Sequence, residues 1–304
     1  MQATTVTSPN RAGASAPARR RARKGWLPYA LGGPAAVFLL LVVIAPFVNL
    51  VILSLYHSTF FGIQEHVSLG NYAKIFTQSY YLHEILHTLV LAVLAAAISL
   101  VLGVPIAFIA WRAPRPVRTT ILLLTLAPIL ISSVVRTLGW VVALGPGGLV
   151  DKILGSVGLG SPALLDTNTA VLIGFANVFM PFMVLSVMSA LRNVNPQLLM
   201  AARTLGASEL RTWLQIVFPL ALPGMAAGVI LVFSLAANSY ITPAMLGGGS
   251  FSVLPVEIYQ QTTIIQNLPL AAAIGVVLTA LVVLIVVLQM IIMERRFHTI
   301  MVAH

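Results

Sequence analysis

Cysteine is absent from the 304 residues, and charge is scarce, with only 8% of residues Asp, Glu, Lys or Arg. Without cysteine there is no disulfide, no thiolate metal site and no thiol chemistry. A soluble domain carries about 25% charged residues; the low charge, together with 59% hydrophobic residues, excludes an ordinary soluble globule. Motifs of self-contained catalysis are missing too. No GxxxxGK[ST] stretch occurs, so no loop of this chain cradles nucleotide phosphates, and neither HExxH nor GxSxG is present. The six histidines are scattered, and only His83 and His87 stand one helical turn apart, a pair we read as non-ligating. The period-2 alternation of a membrane β-barrel is also absent.

What is present is a series of apolar runs. Crossing ~30 Å of hydrocarbon takes roughly 20 residues, and six runs meet that length, over 29–56, 86–111, 120–144, 169–191, 221–246 and 268–293. Backbone polar groups in lipid must be satisfied within the segment, which predicts an all-α membrane protein with six transmembrane helices. The net charge of +10 does not point to nucleic acid, because its distribution is one-sided. Fourteen basic residues precede the first run, follow the sixth, or lie between runs two and three and runs four and five; only Lys74 and Lys152 fall on the other side. The positive-inside rule then places both termini in the cytoplasm. The acids lean outward, with Glu65, Glu84, Asp151, Asp166 and Glu257 outside against Glu209 and Glu294 inside.

Residues 1–26 read as a disordered basic cytoplasmic tail that can touch anionic lipid, 27–296 as the membrane domain and 297–304 as a cytoplasmic C-terminal tail. The first run exceeds the 7–15-residue core of a signal peptide and lacks a clear cleavage site, so it is expected to be retained. The longest outer loop, 57–85, has room for short helices. Prolines 34, 46, 105, 128, 181 and 243 punctuate nearly every run, which is ordinary membrane-helix irregularity or a set of kinks that permit gating. No strong internal repeat is found, which disfavours the inverted-repeat secondary transporters. Nor does any Asp or Glu fall in the middle of a run to relay protons or cations.

One connector is longer than a connector needs to be. The stretch 192–219 contains LLMAARTLGASELRTWLQIVFP, whereas helix–helix links usually take about 2–8 residues. Asn195 before Pro196 predicts a helix start, a capping side chain followed by proline at the first helical position. Leu198, Ala202 and Leu205 then share a face by spacing, and Gly206 supplies a left-handed residue to end the helix. Ser208 caps a second helix with an apolar stripe of Leu210, Trp213, Leu214 and Val217, which Pro219 closes. The expected shape is two short helices meeting at a glycine, with Ala201 and Ala202 exposed for close approach.

This connector resembles the cytoplasmic signature of permease subunits of ATP-binding-cassette importers: Glu-Ala-Ala, three residues, Gly, nine residues, Ile, one residue, Leu-Pro. Ala201, Ala202, Gly206, Ile216 and Pro219 stand at that spacing, with Ala207 beside the glycine; Met200 occupies the glutamate position and Phe218 the leucine position. Similarity extends over about 30–296 through SLVLGVPIAFIAWR, VVRTLGWVVALGPGGLVDKIL, FMPFMVLSVMSAL and NSYITPAMLGG, and is nearest the spermidine/putrescine permeases. Permeases for phosphonates, opines and ferric iron share parts of the pattern. The resemblance implies a type I importer permease fold in a bacterial inner membrane, working by alternating access. It also implies that Met200–Ala202, Gly206, Ala207, Ile216 and Pro219 couple to an ATPase. The implied partners are a second permease subunit, expected to be a different chain, two ATPase subunits that bind ATP and Mg, and an extracytoplasmic solute-binding protein. No cofactor is expected in this chain.

Polar residues inside the runs are the remaining candidates. Arg136 costs about 2.5–3.5 kcal/mol in hydrocarbon on insertion scales, so it is expected to face protein or a cavity. With Thr137 and Trp140 it matches an Arg-Thr-Trp pattern of the family, and a gate or pairing role is favoured because a polyamine cation would be repelled. Asn177, Asn238 and Tyr240 either pack helices or line a path. Glu257 with Tyr259 and Gln260 is the expected cation-facing cluster.

Overall fold

The computed structural model describes residues 27–59, 62–64, 66–156, 163–249 and 251–302; the expected tail 1–26 lies outside them. The chain divides into two compact units, one ending at Val48 and the other beginning at Asn49. The first holds the opening of α1 (Leu27–Ser54), where Val37–Ile44 are all exposed, as a helix with a hydrocarbon solvent can be.

In the second unit a short ladder comes first, β1 (His57–Thr59) antiparallel to β2 (Gly62–Gln64), the one departure from an all-helical chain among the described residues. Then follow α2 (Gly70–Thr77), α3 (Ser79–Arg112), α4 (Arg115–Leu130), α5 (Ser133–Leu144), α6 (Leu149–Ser156), α7 (Asn168–Arg192), α8 (Pro196–Thr204), α9 (Glu209–Thr212), a π turn (Trp213–Val217), α10 (Phe218–Ala237), α11 (Ile241–Leu246), α12 (Leu254–Thr263) and α13 (Leu268–Val302). Six stretches among the described residues are long and apolar enough to cross a membrane. Orphan groups at helix ends find local partners. Asn71 Nδ2 donates to the carbonyls of Ser54 and Tyr56, both at 2.9 Å, closing the end of α1. Thr167 Oγ1 accepts the Ala170 amide at 3.2 Å to start α7, and Asn267 Oδ1 accepts the Leu270 amide at 3.2 Å to start α13.

The core is the mutual packing of α3, α7 and α10. Helices in lipid gain little by hiding apolar surface from lipid tails, so they associate through close backbone approach at small residues. A Cβ on Gly224 of α10 would lie 2.5 Å from Ala190 Cβ, and one on Gly228 2.5 Å from Met183 Sδ. From the other side, a Cβ on Gly103 of α3 would lie 2.9 Å from Met183 Cγ. Met183 of α7 is therefore clasped by one glycine from each neighbour, and it is fully buried.

Two of the six expected runs are not single helices. The run 120–144 breaks at Ile131–Ser132 into α4 and α5. Pro128 has no N–H to continue the ladder, and α4 ends two residues later. Length and apolarity alone mark Ser133–Ser156 as a span, but a turn at 145–148 interrupts it and α6 carries Asp151 and Lys152. Uncharged Ile121–Leu130 of α4, followed by α5, makes the better crossing. The run 221–246 breaks at Asn238–Tyr240 between α10 and α11. Helices α3 and α13 also run beyond expectation, α3 starting seven residues before 86 and α13 reaching Val302.

Candidate functional site

The connector follows its local code at three points. Asn195 Oδ1 accepts the Gln197 amide at 2.9 Å and Pro196 opens α8. Gly206 has φ +78°; its N–H donates to the Arg203 carbonyl and the Ala207 N–H to the Ala202 carbonyl, both at 3.0 Å. These are the two closing bonds of a Schellman motif, which needs a left-handed residue at this position. Ser208 Oγ accepts the Arg211 amide at 3.3 Å and starts α9.

Three expectations about the connector are overturned. Ala202 is not exposed for close approach: it is 8% exposed, while Leu205, expected on the same face, is 87% exposed. Pro219 does not close the second helix. Chain 209–237 continues through the π turn, with Phe218 N–H bonded to the Trp213 carbonyl, and the wider turn absorbs a proline that would otherwise clash one turn back. The apolar stripe splits into two faces. Val217 is buried and Trp213 sits against Phe108 of α3, ring centroids 4.2 Å apart, but Leu210 and Leu214 are exposed. Met200 and Ala201 are exposed, whereas Ala207, Ile216 and Pro219 are half-buried. Arg203 and Glu209 form an exposed ion pair at 3.0 Å across the Gly206 turn. The loop thus presents Met200, Leu205, Leu210 and Leu214 outward and is anchored to α3 by Trp213.

At the α4–α5 break, half-buried Arg136 turns back across the gap. Its Nη1 donates to the Pro128 carbonyl, and Nη2 reaches Ser133 Oγ at 3.4 Å. The Pro128 carbonyl already accepts the Ile131 amide at 3.4 Å; the guanidinium adds a second, charged donor there and offsets the negative end of the helix dipole. Four residues on, Trp140 joins Asn177 of α7 and Leu102 of α3 in lining an almost wholly apolar cavity of about 440 Å³.

The far end of α3 carries the other candidates. Asn238 Nδ2 donates to the Ser234 carbonyl at 2.8 Å, capping α10, and the Tyr240 ring lies 4.7 Å from that of Tyr259. The expected cluster of Glu257, Tyr259 and Gln260 separates: Tyr259 faces Tyr240, while Glu257 is buried on α12 and shares a pocket of about 210 Å³ with Gln260. That pocket contains residues the sequence reading left out, among them Glu84 and Ser252. Glu84 is 1% exposed and sits inside α3 rather than in an outer loop. The signal was there in Tyr80, Glu84 and Thr88, polar residues at successive turns of one face. His83 and His87 stack at 5.9 Å, but no group of three metal-ligating side chains forms among the described residues.

Residues 99–299 match the family described as the binding-protein-dependent transport system inner membrane component. The chain is 32% identical over 214 residues to the spermidine/putrescine transport system permease protein PotB of Salmonella typhimurium (strain SL1344), covering 70% of this chain and 74% of that one. To PotB of Escherichia coli (strain K12) it is 33% identical, covering 70% and 78%. Among solved structures it is similar to a bacterial transporter that imports the acidic polysaccharide alginate, with a TM-score of 0.73, 19% identity and coverage of 89% of this chain and 96% of that one. A second structure of the alginate transporter, in complex with a periplasmic protein bound to alginate pentasaccharide, gives a TM-score of 0.70.

Proposed function

The chain belongs to the family of binding-protein-dependent transport system inner membrane components, and we propose that it carries a polyamine such as spermidine or putrescine. It is the permease subunit of an ATP-binding-cassette importer, a multi-pass protein of the bacterial inner membrane with a type I importer fold. The polyamine reading draws its support from the two PotB relatives. It works beside a second permease subunit of a different chain, two ATPase subunits that bind ATP and Mg, and an outer solute-binding protein. The assembled complex is the ATP-hydrolysing translocase. Both termini are cytoplasmic, so the connector meets the ATPases and the far end of α3 faces outward.

The observation that carries the assembly is the connector. A chain that spends two capped helices and a left-handed glycine on holding Leu205 at 87% exposure presents an apolar surface that a partner covers. Closure of the ATPases on ATP displaces this loop, and Trp213 against Phe108 transmits the displacement to α3. Arg136, Trp140 and Asn177 then lie where the broken third span meets α7, and Asn238, Tyr240, Glu257 and Gln260 line the outer entrance.

The test is reconstitution of the full complex with its binding protein in proteoliposomes. ATP-dependent uptake of labelled spermidine or putrescine is expected. Uptake of a different solute alone would overturn the cargo, and failure of the ATPases to co-purify would overturn the assembly. Single cysteines at Ser68 and Ser208 in this cysteine-free chain should label from outside and inside respectively; labelling of both from outside contradicts the orientation.

A further inference from the structure

The pocket lined by the first turns of α3, by Gly249, Phe251 and Ser252, and by α12 holds two carboxylates, Glu84 at 1% and Glu257 at 4% exposure. Their hydrogen bonds can be assigned one by one. Tyr80 Oη donates to Glu257 Oε2 at 2.9 Å, Gln261 Nε2 donates to Glu257 Oε1 at 2.7 Å, and Ser252 Oγ donates to Glu84 Oε1. Glu84 Oε2 and Gln261 Oε1 are buried acceptors without any donor. Flipping the Gln261 amide would only turn its oxygen toward a carboxylate, so the vacancy stays an acceptor's.

Among the described residues no Lys or Arg meets this need. The one ion pair among the described residues is Arg203–Glu209, at the other end of α3. Lys74 lies over the Tyr81 ring at 5.8 Å. His87 is the basic group nearest Glu84, but its two ring nitrogens are taken up at 2.7 Å from the Ser252 carbonyl and 2.8 Å from Asn168 Oδ1, so it gives Glu84 Oε2 no hydrogen bond. Two buried acids that share one imidazole neighbour and no Lys or Arg are costly, and buried orphan acceptors add to the cost.

We propose that this pocket is a binding site for an alkylammonium group, the terminal –CH2–NH3+ of an organic amine. An ammonium brings three donors and no acceptor, which supplies the bond that Glu84 Oε2 lacks and offsets both carboxylates. Phe251 and Val256 line the same pocket and offer an apolar wall for methylenes, and the Tyr80 and Phe251 rings can attract a cation. A hard metal ion would take six or more oxygen ligands, but three of the four carboxylate oxygens already accept protein hydrogen bonds. At about 30 Å³ per water, the pocket of about 210 Å³ matches one amine terminus with a few methylenes, not a whole triamine. The site is therefore an end-group station, distinct from the apolar cavity at Trp140 and Asn177. It rests on the polyamine reading only for which amine arrives there.

The test measures thermal stability of the assembled complex in detergent with added butylamine, putrescine or NaCl at matched ionic strength, since a ligand that binds the folded state raises Tm. Both amines should raise Tm above the NaCl control, and Glu84→Gln and Glu257→Gln should each weaken the response at least tenfold in amine concentration. Tyr80→Phe frees an oxygen of Glu257 and should bind amine at least as well. An amine response no larger than that of NaCl overturns the site, as does one unchanged in the double Gln variant or weakened tenfold by Tyr80→Phe. If amine binding is present but spermidine uptake is absent, the polyamine reading fails alone. Polyamine uptake without the amine response removes only this site.

Discussion

The two ends of α3, roughly 40 Å apart from Glu84 to Arg112 at ~1.5 Å per residue, are unfinished in opposite ways. At the connector, charge is satisfied and apolar surface is not: Glu209 is paired with Arg203 in water, while Leu205, Leu210 and Met200 stand exposed. At the outer pocket, apolar groups are covered and charge is not: Glu84 and Glu257 are buried among hydroxyls and an amide, and among the described residues no Lys or Arg and no donor reaches Glu84 Oε2. Exposed apolar surface is completed by a protein face, buried negative charge by a small cation. One helix thus joins a surface suited to a macromolecule to a pocket suited to a solute, and the glycine contacts of α3, α7 and α10 with Met183 hold the ends in register.

Perturbing the connector should produce the largest effect and leave the outer end untouched. A Cβ on Gly206 would meet nothing within 4 Å, so the only penalty of substitution is its φ of +78°. Gly206→Val places a β-branched residue in a region it strongly resists, and should abolish ATPase retention and reduce uptake to background. Gly206→Asn tolerates that conformation and should retain both. The amine response of the outer pocket should be unchanged in either; its loss in Gly206→Val would show that the two ends are not separable.

The link between the ends should come next. Arg136→Leu removes the side-chain donor to the Pro128 carbonyl and leaves only the Ile131 amide, yet leucine is cheaper in lipid than arginine, so expression and ATPase retention should hold. Uptake should fall about tenfold or more while ATP hydrolysis continues, because the α4–α5 break loses its clamp. Arg136→Lys should recover only part, since an ammonium cannot reproduce the guanidinium fork. Normal uptake by Arg136→Leu would reduce Arg136 to a tolerated charge.

What could be read from the sequence follows the range of the forces involved. Asn195, Gly206 and Ser208 act on backbone groups two to four residues away, so their roles were legible. The breaks at Ile131–Ser132 and Asn238–Tyr240 were not, because apolarity continues through both and a hydropathy window sees no edge. Pro105 and Pro181 look like Pro128 in sequence, yet α3 and α7 pass through them unbroken; neighbouring helices decide which proline ends a helix. The burial of Ala202 escapes the spacing for a related reason. Helical spacing fixes which residues share a face but not which face turns inward, and Trp213 against Phe108 fixes the loop's orientation from outside its own sequence. Hydropathy puts Glu84 in the loop 57–85 because a charge lowers the local average, although Tyr80, Glu84 and Thr88 share a polar face. Because Ala202 is buried, an Ala202→Trp variant tests the chain's own packing.

The smallest expected effect concerns Met200, where relatives of this signature carry glutamate. Met200 is 67% exposed and uncharged, so the connector's contact with its ATPase should rest on packing, and complex retention should change little between about 0.1 M and 1 M salt, over which the Debye length falls from roughly 10 to 3 Å. Met200→Glu adds a carboxylate three residues before Arg203 on α8, within reach on the same helix face. Arg203 already pairs with Glu209, so the new acid competes with Glu209 unless the ATPase offers it a cation. In the first case Met200→Glu leaves the salt dependence flat and Arg203→Ala changes little, since exposed pairs are worth about 0–1 kcal/mol. In the second, retention at low salt improves by at most a few-fold and declines as salt rises, with or without Arg203. We expect the second, because the wild-type loop has its own ion pair complete and leaves position 200 facing outward. A flat salt response in both Met200→Glu and Met200→Glu/Arg203→Ala would mean that position 200 touches nothing charged, and that the connector docks through Leu205 and Leu210 alone.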